Sequence, residues 1–290
     1  MKYSLSTDYE FSGLSSLTCV IATKRSGHHA FIEWLCSHLH DYFYLNNVNV
    51  NPDVERDKYQ KKHIETDINI EFLHSEADEF GDVQYSEKDV EHFLMSFENK
   101  AVPSVSRSGR LESLKNLSLR EHLSNTAILF LRDPINCLAS IARYNEVNPN
   151  FRVSVEQQAG HWVALAKDFF DSERAKSLLG LNVKTVRYND FIRDRVKITD
   201  LLGNHLKHSE KRMSNLSRFG GGGDSKFKNA KSDMSVDALE SRWKMLESPA
   251  VITDIFKSNA DLRELSRQFY RDSQMSDAMK LGVENFLGAL

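Results

Sequence analysis

A disulfide framework, a membrane span and an excess of charge are all missing from this chain. Its three cysteines, Cys19, Cys36 and Cys137, form an odd set without metal-ligand spacing. That excludes a cystine-stapled fold and a zinc module, and predicts free thiols in a reducing compartment. A formal net charge of -3 gives no general reason to bind nucleic acid or an anionic membrane, so any anion site must be local. No apolar run approaches the roughly 20 residues of a membrane helix. The opening MKYSLSTDYEFSG is too polar for a secretory signal. These absences predict a cytoplasmic protein with no membrane span and no nucleic-acid partner. Glycine is sparse too, and four of its 13 occurrences fall in one run at 220–223.

What remains is ordinary globular composition, 40% hydrophobic and 27% charged, patterned in a definite order. Four apolar stretches read as buried parallel strands: 17–23 (LTCVIAT), 92–97 (HFLMSF), 126–132 (TAILFLR) and 182–188 (NVKTVRY). Helical patterns follow three of them, over 28–40, 134–145 and 190–206. Asp133-Pro134 supplies an N-cap carboxylate and a first-turn proline for the second of these. Further helices are expected at 154–173, 235–247 and 258–276. Alternating strands and helices predict an α/β fold with a parallel central sheet flanked by helices. With no repeat and no strong boundary, residues 1–290 read as a single domain.

Two segments interrupt the pattern. Residues 47–90 are polar and charged, with little to bury. They read either as a solvated insertion or as a lid or acceptor wall over the carboxyl ends of the strands, where open α/β sheets bind ligands. The second is SRFGGGGDSKFKNAKSD (217–233), in which cations crowd a glycine run. Such a run is either a flexible linker or a loop whose backbone N–H groups wrap a phosphate.

The most informative stretch is ATKRSGHHAFIEWL (22–35), directly after an apolar run. Strand, small glycine-containing turn and amphipathic helix make an anion cradle, because the first N–H groups of a helix lack partners. Nucleotide triphosphatases use G-x-x-x-x-G-K-[ST] at such a place. Here Ala22 stands at the first glycine, Gly27 at the second, and His28 and His29 where the Lys and the Mg-binding hydroxyl belong. The cradle is kept and the parts that handle Mg-ATP are lost.

Three motifs in this order resemble those of the PAPS-dependent sulfotransferases, which use 3′-phosphoadenosine 5′-phosphosulfate. ATKRSGHHAFIEW is similar to that family's 5′-phosphosulfate loop, YPKSGTTW. The match sets Arg25 at the loop lysine, followed by Ser26 and Gly27, with His28 and His29 at the two threonines. LRDPINCLASIARY is similar to the 3′-phosphate motif, with Arg132 and, eight residues on, Ser140. RFGGGGDSKFKN resembles RKGxxGDWKN through Arg218, Gly220, Gly223, Asp224 and Lys226. RYND is similar to the family's Y-E-D, which sets Tyr188 near adenine. The departures are Ala30 and Ser225, which stand where tryptophans are usual, and Phe219, which replaces a lysine. They leave Tyr188, His28 or Phe219 to hold the adenine.

The resemblance implies a P-loop-like sulfotransferase fold, PAPS as co-substrate, PAP as product and no required metal. The acceptor it implies is a small-molecule or carbohydrate hydroxyl. Lys24, Arg25, Ser26, Gly27, His28 and His29 would line the phosphosulfate, and Arg132, Ser140, Arg218 and Gly220 the 3′-phosphate. In-line sulfuryl transfer builds charge on the leaving oxygen, where Arg25 fits as a cation that donates no proton. Glu98, ending its strand, is the first candidate for general base, with His28, His29, Glu65 and His74 as alternatives. Adjacent histidines on a helix point to different sides, and metal ligation favours i, i+4 spacing, so no metal is expected. The rival readings are a P-loop kinase or phosphotransferase, and a non-catalytic nucleotide-binding protein.

Overall fold

The computed structural model describes residues 3–4, 10–11, 15–39, 42–45, 48, 70–72, 91–109, 111–112, 115, 124–148, 153–203, 250–273, 275 and 277–288. The glycine-rich segment 217–233, the helix expected at 235–247 and most of 47–90 lie outside the described residues.

A short antiparallel pair, β1 (Tyr3–Ser4) and β2 (Glu10–Phe11), precedes the main sheet. The main sheet holds β3 (Ser16–Ala22), β4 (Tyr42–Leu45), β5 (Ile70–Phe72), β6 (His92–Glu98), β7 (Ser124–Leu131) and β8 (Asn182–Arg187). Its order is β5-β4-β6-β3-β7-β8. The five strands from β4 to β8 are parallel, and β5 runs antiparallel on the outer side of β4. The chain leaves β3 toward β4 and β6 on one side, then crosses to β7 and β8 on the other. The order therefore reverses at β3, the kind of point where open α/β sheets place ligands.

Both faces of the sheet are covered, which is why its strands read as continuous apolar runs. Leu17, Cys19 and Ile21 of β3 face one core together with Phe93, Met95, Phe97, Leu129 and Leu131. That core is closed by α3 (Pro134–Val147), α4 (Val155–Phe170), α5 (Ser172–Leu179), α8 (Ala250–Ser258), α9 (Ala260–Asp272) and α10 (Asp277–Gly288). Val20 and Ala22 face the opposite core, built with α1 (His28–Cys36), α6 (Tyr188–Arg193) and α7 (Arg195–Leu202). A single turn, α2 (Val102–Val105), follows β6. Cys19, Cys36 and Cys137 are all buried, and none is in a disulfide. Among the described residues no helix is long and apolar enough to cross a membrane.

The four anticipated strands are β6, β3, β7 and β8. The helices differ where an aspartate intervenes. The pattern at 190–206 is two helices, because Asp194 ends α6 and its side chain caps α7 by accepting from Lys197 N. Asp171 does the same between α4 and α5. Strand β4 was not anticipated, since four residues are too few to show a period.

The helix that follows the key loop is locked by aromatic packing. Phe31 of α1 stacks on Phe130 of β7 at 4.7 Å and meets Phe191 of α6 edge-on at 5.3 Å. Phe31→Ala should lower unfolding stability by about 3–5 kcal/mol in urea denaturation, through lost burial and the cavity left behind. A loss below about 1 kcal/mol contradicts this packing.

Candidate active site

Strand register gathers the site. Ala22 pairs with Glu98 on one side and with Phe130 on the other, and Leu131 pairs with Arg187. The carboxyl ends of β6, β3, β7 and β8 are therefore nearly level. Asn99, Thr23, Arg132 and Tyr188 are the first residues beyond them.

The loop 23–27 has a backbone shape with a specific demand. Arg25 and Gly27 both have positive φ, 66° and 83°. A non-glycine residue in that region is uncommon and persists where its surroundings hold it. Here neighbours take the loop's carbonyls from below. The Lys24 carbonyl accepts from Gln158 Nε2 (3.3 Å) and Cys137 Sγ (3.4 Å), and the Arg25 carbonyl accepts from Arg132 Nη1 (3.3 Å). The Lys24 N–H donates to Asn99 Oδ1 at 2.8 Å, and the Ser26 N–H closes a turn onto the Thr23 carbonyl. Asn99 itself, at φ 54°, is joined to Gln158 by two amide contacts and donates its N–H to the Ala22 carbonyl.

Gly27 begins α1. A Cβ there would lie 2.5 Å from the Tyr188 ring, so only glycine fits both the conformation and the space. Helices α3, α4, α5, α7 and α9 are each capped by an Asp, Ser or Asn side chain, whereas among the described residues no side chain caps α1. Its N-terminus is thus suited to an anion.

Two guanidiniums flank this end. Arg25 lies over the Tyr144 ring at 5.0 Å, and Arg132, 2% exposed, lies over the Tyr188 ring at 4.6 Å. Burial lowers the Arg25 pKa, and the nearby Arg132 charge adds to this. Asp133 Oδ2, 3.8 Å from Arg132 Nε, balances part of the second charge inside the protein. Ser140 is half-buried on α3, one turn before Tyr144, on the helix side that Arg25 covers. Tyr188 is wedged beneath the loop, with Gly27, Arg132 and Phe130 around its ring. Lys24 takes part through its backbone. Arg218, Phe219 and Gly220 lie outside the described residues.

On the other side of the loop stands Glu98. His29 Nε2 makes a 3.2 Å hydrogen bond to Glu98 Oε1, and His28 Nε2 stands 3.1 Å from the same oxygen. His28 is 1% exposed and His29 19%. Adjacent positions on a helix predict divergent side chains. The structure instead turns both rings to one carboxylate, because the first turn of α1 abuts the end of β6; their centroids are 4.0 Å apart. Burial lowers the His28 pKa. Burial alone would raise the Glu98 carboxyl, but hydrogen bonds and charges from His28 and His29 outweigh it and hold Glu98 well below the usual range.

Sequence reasoning missed Asn99, Gln158 and Tyr144. Gln158 carried a signal: it shares the buried stripe of α4 with Trp162, Leu165 and Phe169, and a polar group on an apolar face needs a partner. Asn99 and Tyr144 carried none.

No known protein family and no curated protein matches the chain. Among solved structures it is similar to mouse sulfotransferase SULT7A1 complexed with PAP, at 14% identity and TM-score 0.42, over 91% of each chain. It is also similar to a sulfotransferase domain from the curacin biosynthetic pathway, at 11% identity and TM-score 0.43, over 89% of this chain and 98% of that one.

Gln158→Leu keeps the side chain's bulk but leaves the Lys24 carbonyl and the Asn99 amide short of partners. Stability should fall by about 1–3 kcal/mol in denaturant titration. Gly27→Ala should cost at least about 1 kcal/mol, since both its φ and the Tyr188 ring oppose a methyl group. Wild-type stability in either variant contradicts the loop geometry.

Proposed function

We propose that this chain moves a sulfuryl group from PAPS to the hydroxyl of a small-molecule or carbohydrate acceptor. The observation that carries the reading is the surround of loop 23–27. Two guanidiniums, an uncapped helix start and a carboxylate on the neighbouring strand end converge there, with histidines in place of the Mg-handling Lys and hydroxyl. A phosphosulfate suits this site. Gly27 allows close approach, Arg25 and the α1 N-terminus meet the negative charge, and Arg132 and Ser140 are the residues assigned to the 3′-phosphate. Arg218, Phe219 and Gly220 belong to the same proposal, closing over the nucleotide, with Tyr188 toward the adenine.

In the reaction the bond from sulfur to the 5′-phosphate oxygen breaks as the bond from sulfur to the acceptor oxygen forms. Charge grows on the departing phosphate, and a fixed cation stabilises that state more than the ground state. Arg25 has that role, and its planar fork can hold phosphate and departing oxygen together. Glu98 takes the acceptor's proton, with His28 and His29 fixing its orientation. The same neighbours lower its basicity, so proton transfer is a modest part of the rate enhancement. A terminal phosphoryl group carries more charge than sulfate does, so this chemistry needs Mg less. A kinase reading lacks a lysine after Gly27.

PAP should bind equally well with Mg and with EDTA, and far more tightly than AMP, in calorimetry. Arg132→Ala should cost on the order of 2 kcal/mol of PAP binding and clearly less of AMP binding, the latter through the lost tie to the Arg25 carbonyl. Equal weakening of both ligands rejects Arg132 as the reader of the 3′-phosphate. Glu98→Gln should lower turnover by about 100-fold with PAP affinity intact, as removal of a general base of modest strength implies. A fully active Glu98→Gln enzyme beside an inactive His28→Ala or His29→Ala enzyme assigns the base to the imidazole.

A further inference from the structure

Two imidazoles on one carboxylate oxygen are more than a general base requires. His28 Nε2, His29 Nε2 and Glu98 Oε1 all lie within 4.8 Å of one another, with 3.1 and 3.2 Å from each nitrogen to the oxygen. Ligand atoms around a four-coordinate Zn2+ are spaced about 3.3 Å apart, given its usual bond lengths. His28 Nε2 is buried 3.1 Å from the Glu98 oxygen, and among the described residues no partner meets it in well-aligned hydrogen-bond geometry. On its other side the ring is held through Nδ1 by Ser26 Oγ at 3.2 Å. An outer hydrogen bond of this kind fixes the tautomer and orientation of a ligating imidazole.

We propose that His28, His29 and Glu98 form a binding site for a divalent transition ion of the Zn2+ class, with a fourth position open toward the loop. Two nitrogens and a carboxylate oxygen suit a borderline ion and not Mg2+ or Ca2+, which prefer all-oxygen shells. Two ligands come from the first turn of α1 and the third from the end of β6, so the strand register that sets Glu98 beside Ala22 also sets the triad. Arg25 and the positive end of α1 oppose a dication here, which makes occupancy reversible and weaker than in a structural zinc site. The ion would occupy the carboxylate assigned to the acceptor's proton and so silence turnover. That consequence rests on the sulfuryl-transfer reading; the binding itself does not.

The test is titration of the full-length, tag-free, EDTA-stripped protein with Zn2+ by calorimetry, and with Co2+ by visible absorption. One ion per chain should bind, with the intense d–d bands of four- or five-coordinate cobalt. Glu98→Gln, a nearly isosteric change, and His29→Ala, at a partly exposed position, should each weaken binding by about 100-fold or more. Zn2+ should raise the melting temperature of the wild type and leave both variants unmoved. Absence of a cobalt band in the wild type overturns the proposal. So does Zn2+ binding that survives in folded Glu98→Gln and His29→Ala, because the ion then sits elsewhere.

Discussion

A trans peptide carries its C=O and N–H on opposite sides of one plane, and this rule governs the loop after β3. Gln158 and Cys137 hold the Lys24 carbonyl toward the protein interior, so the N–H of the same peptide, that of Arg25, is directed the other way. Arg132 acts likewise on the Arg25 carbonyl. The positive φ at Arg25 and Gly27 is the backbone's answer to these constraints. The outward direction of the Arg25 N–H therefore follows from where carbonyls are tied down, before any ligand arrives, while the Ser26 N–H closes the turn onto Thr23.

The ties reach far into the fold. Trp162 Nε1 donates to the Arg132 carbonyl, and Tyr270 of α9 donates to Asp133, whose carboxylate also caps α3 through Asn136. Helices on the outer layer of one core thus brace the corner that holds the second guanidinium. Each of these buried polar groups would be costly alone, and their mutual satisfaction makes the corner rigid. Burial, followed by the Asp133 charge, raises the Tyr270 pKa, so this tyrosine stays a hydrogen-bond donor.

Much of this was legible in residue order. Apolar runs at Leu17, Phe93, Ala127 and Val183 announced a sheet buried on both faces, and Asp133-Pro134 announced the start of α3 with its cap. The strand–loop–helix around Gly27 was visible as an anion cradle, and Glu98 as a strand-end carboxylate beside it. The arrangement of the two histidines was not, because their convergence depends on how closely α1 approaches the end of β6, a tertiary distance. Nor could the sequence show that the Arg132 guanidinium is roofed by Tyr188, since that contact joins residues 56 positions apart across two strands. Asn99 was hidden for the same reason: its use lies in a left-handed backbone and a partner on α4.

The level strand ends also set what the chain can tolerate in its later history. Glu98 reaches the loop because β6 pairs with β3 in one register, whatever the length of chain between α1 and β6. Outside Val48 and β5, the connection between β4 and β6 can change length while the distance from Glu98 to Gly27 stays fixed by hydrogen bonds within the sheet. One residue inserted within β6 would be different, because a single-step slip turns every later side chain to the opposite face. The scaffold thus separates connections whose length can vary from a strand whose length is frozen.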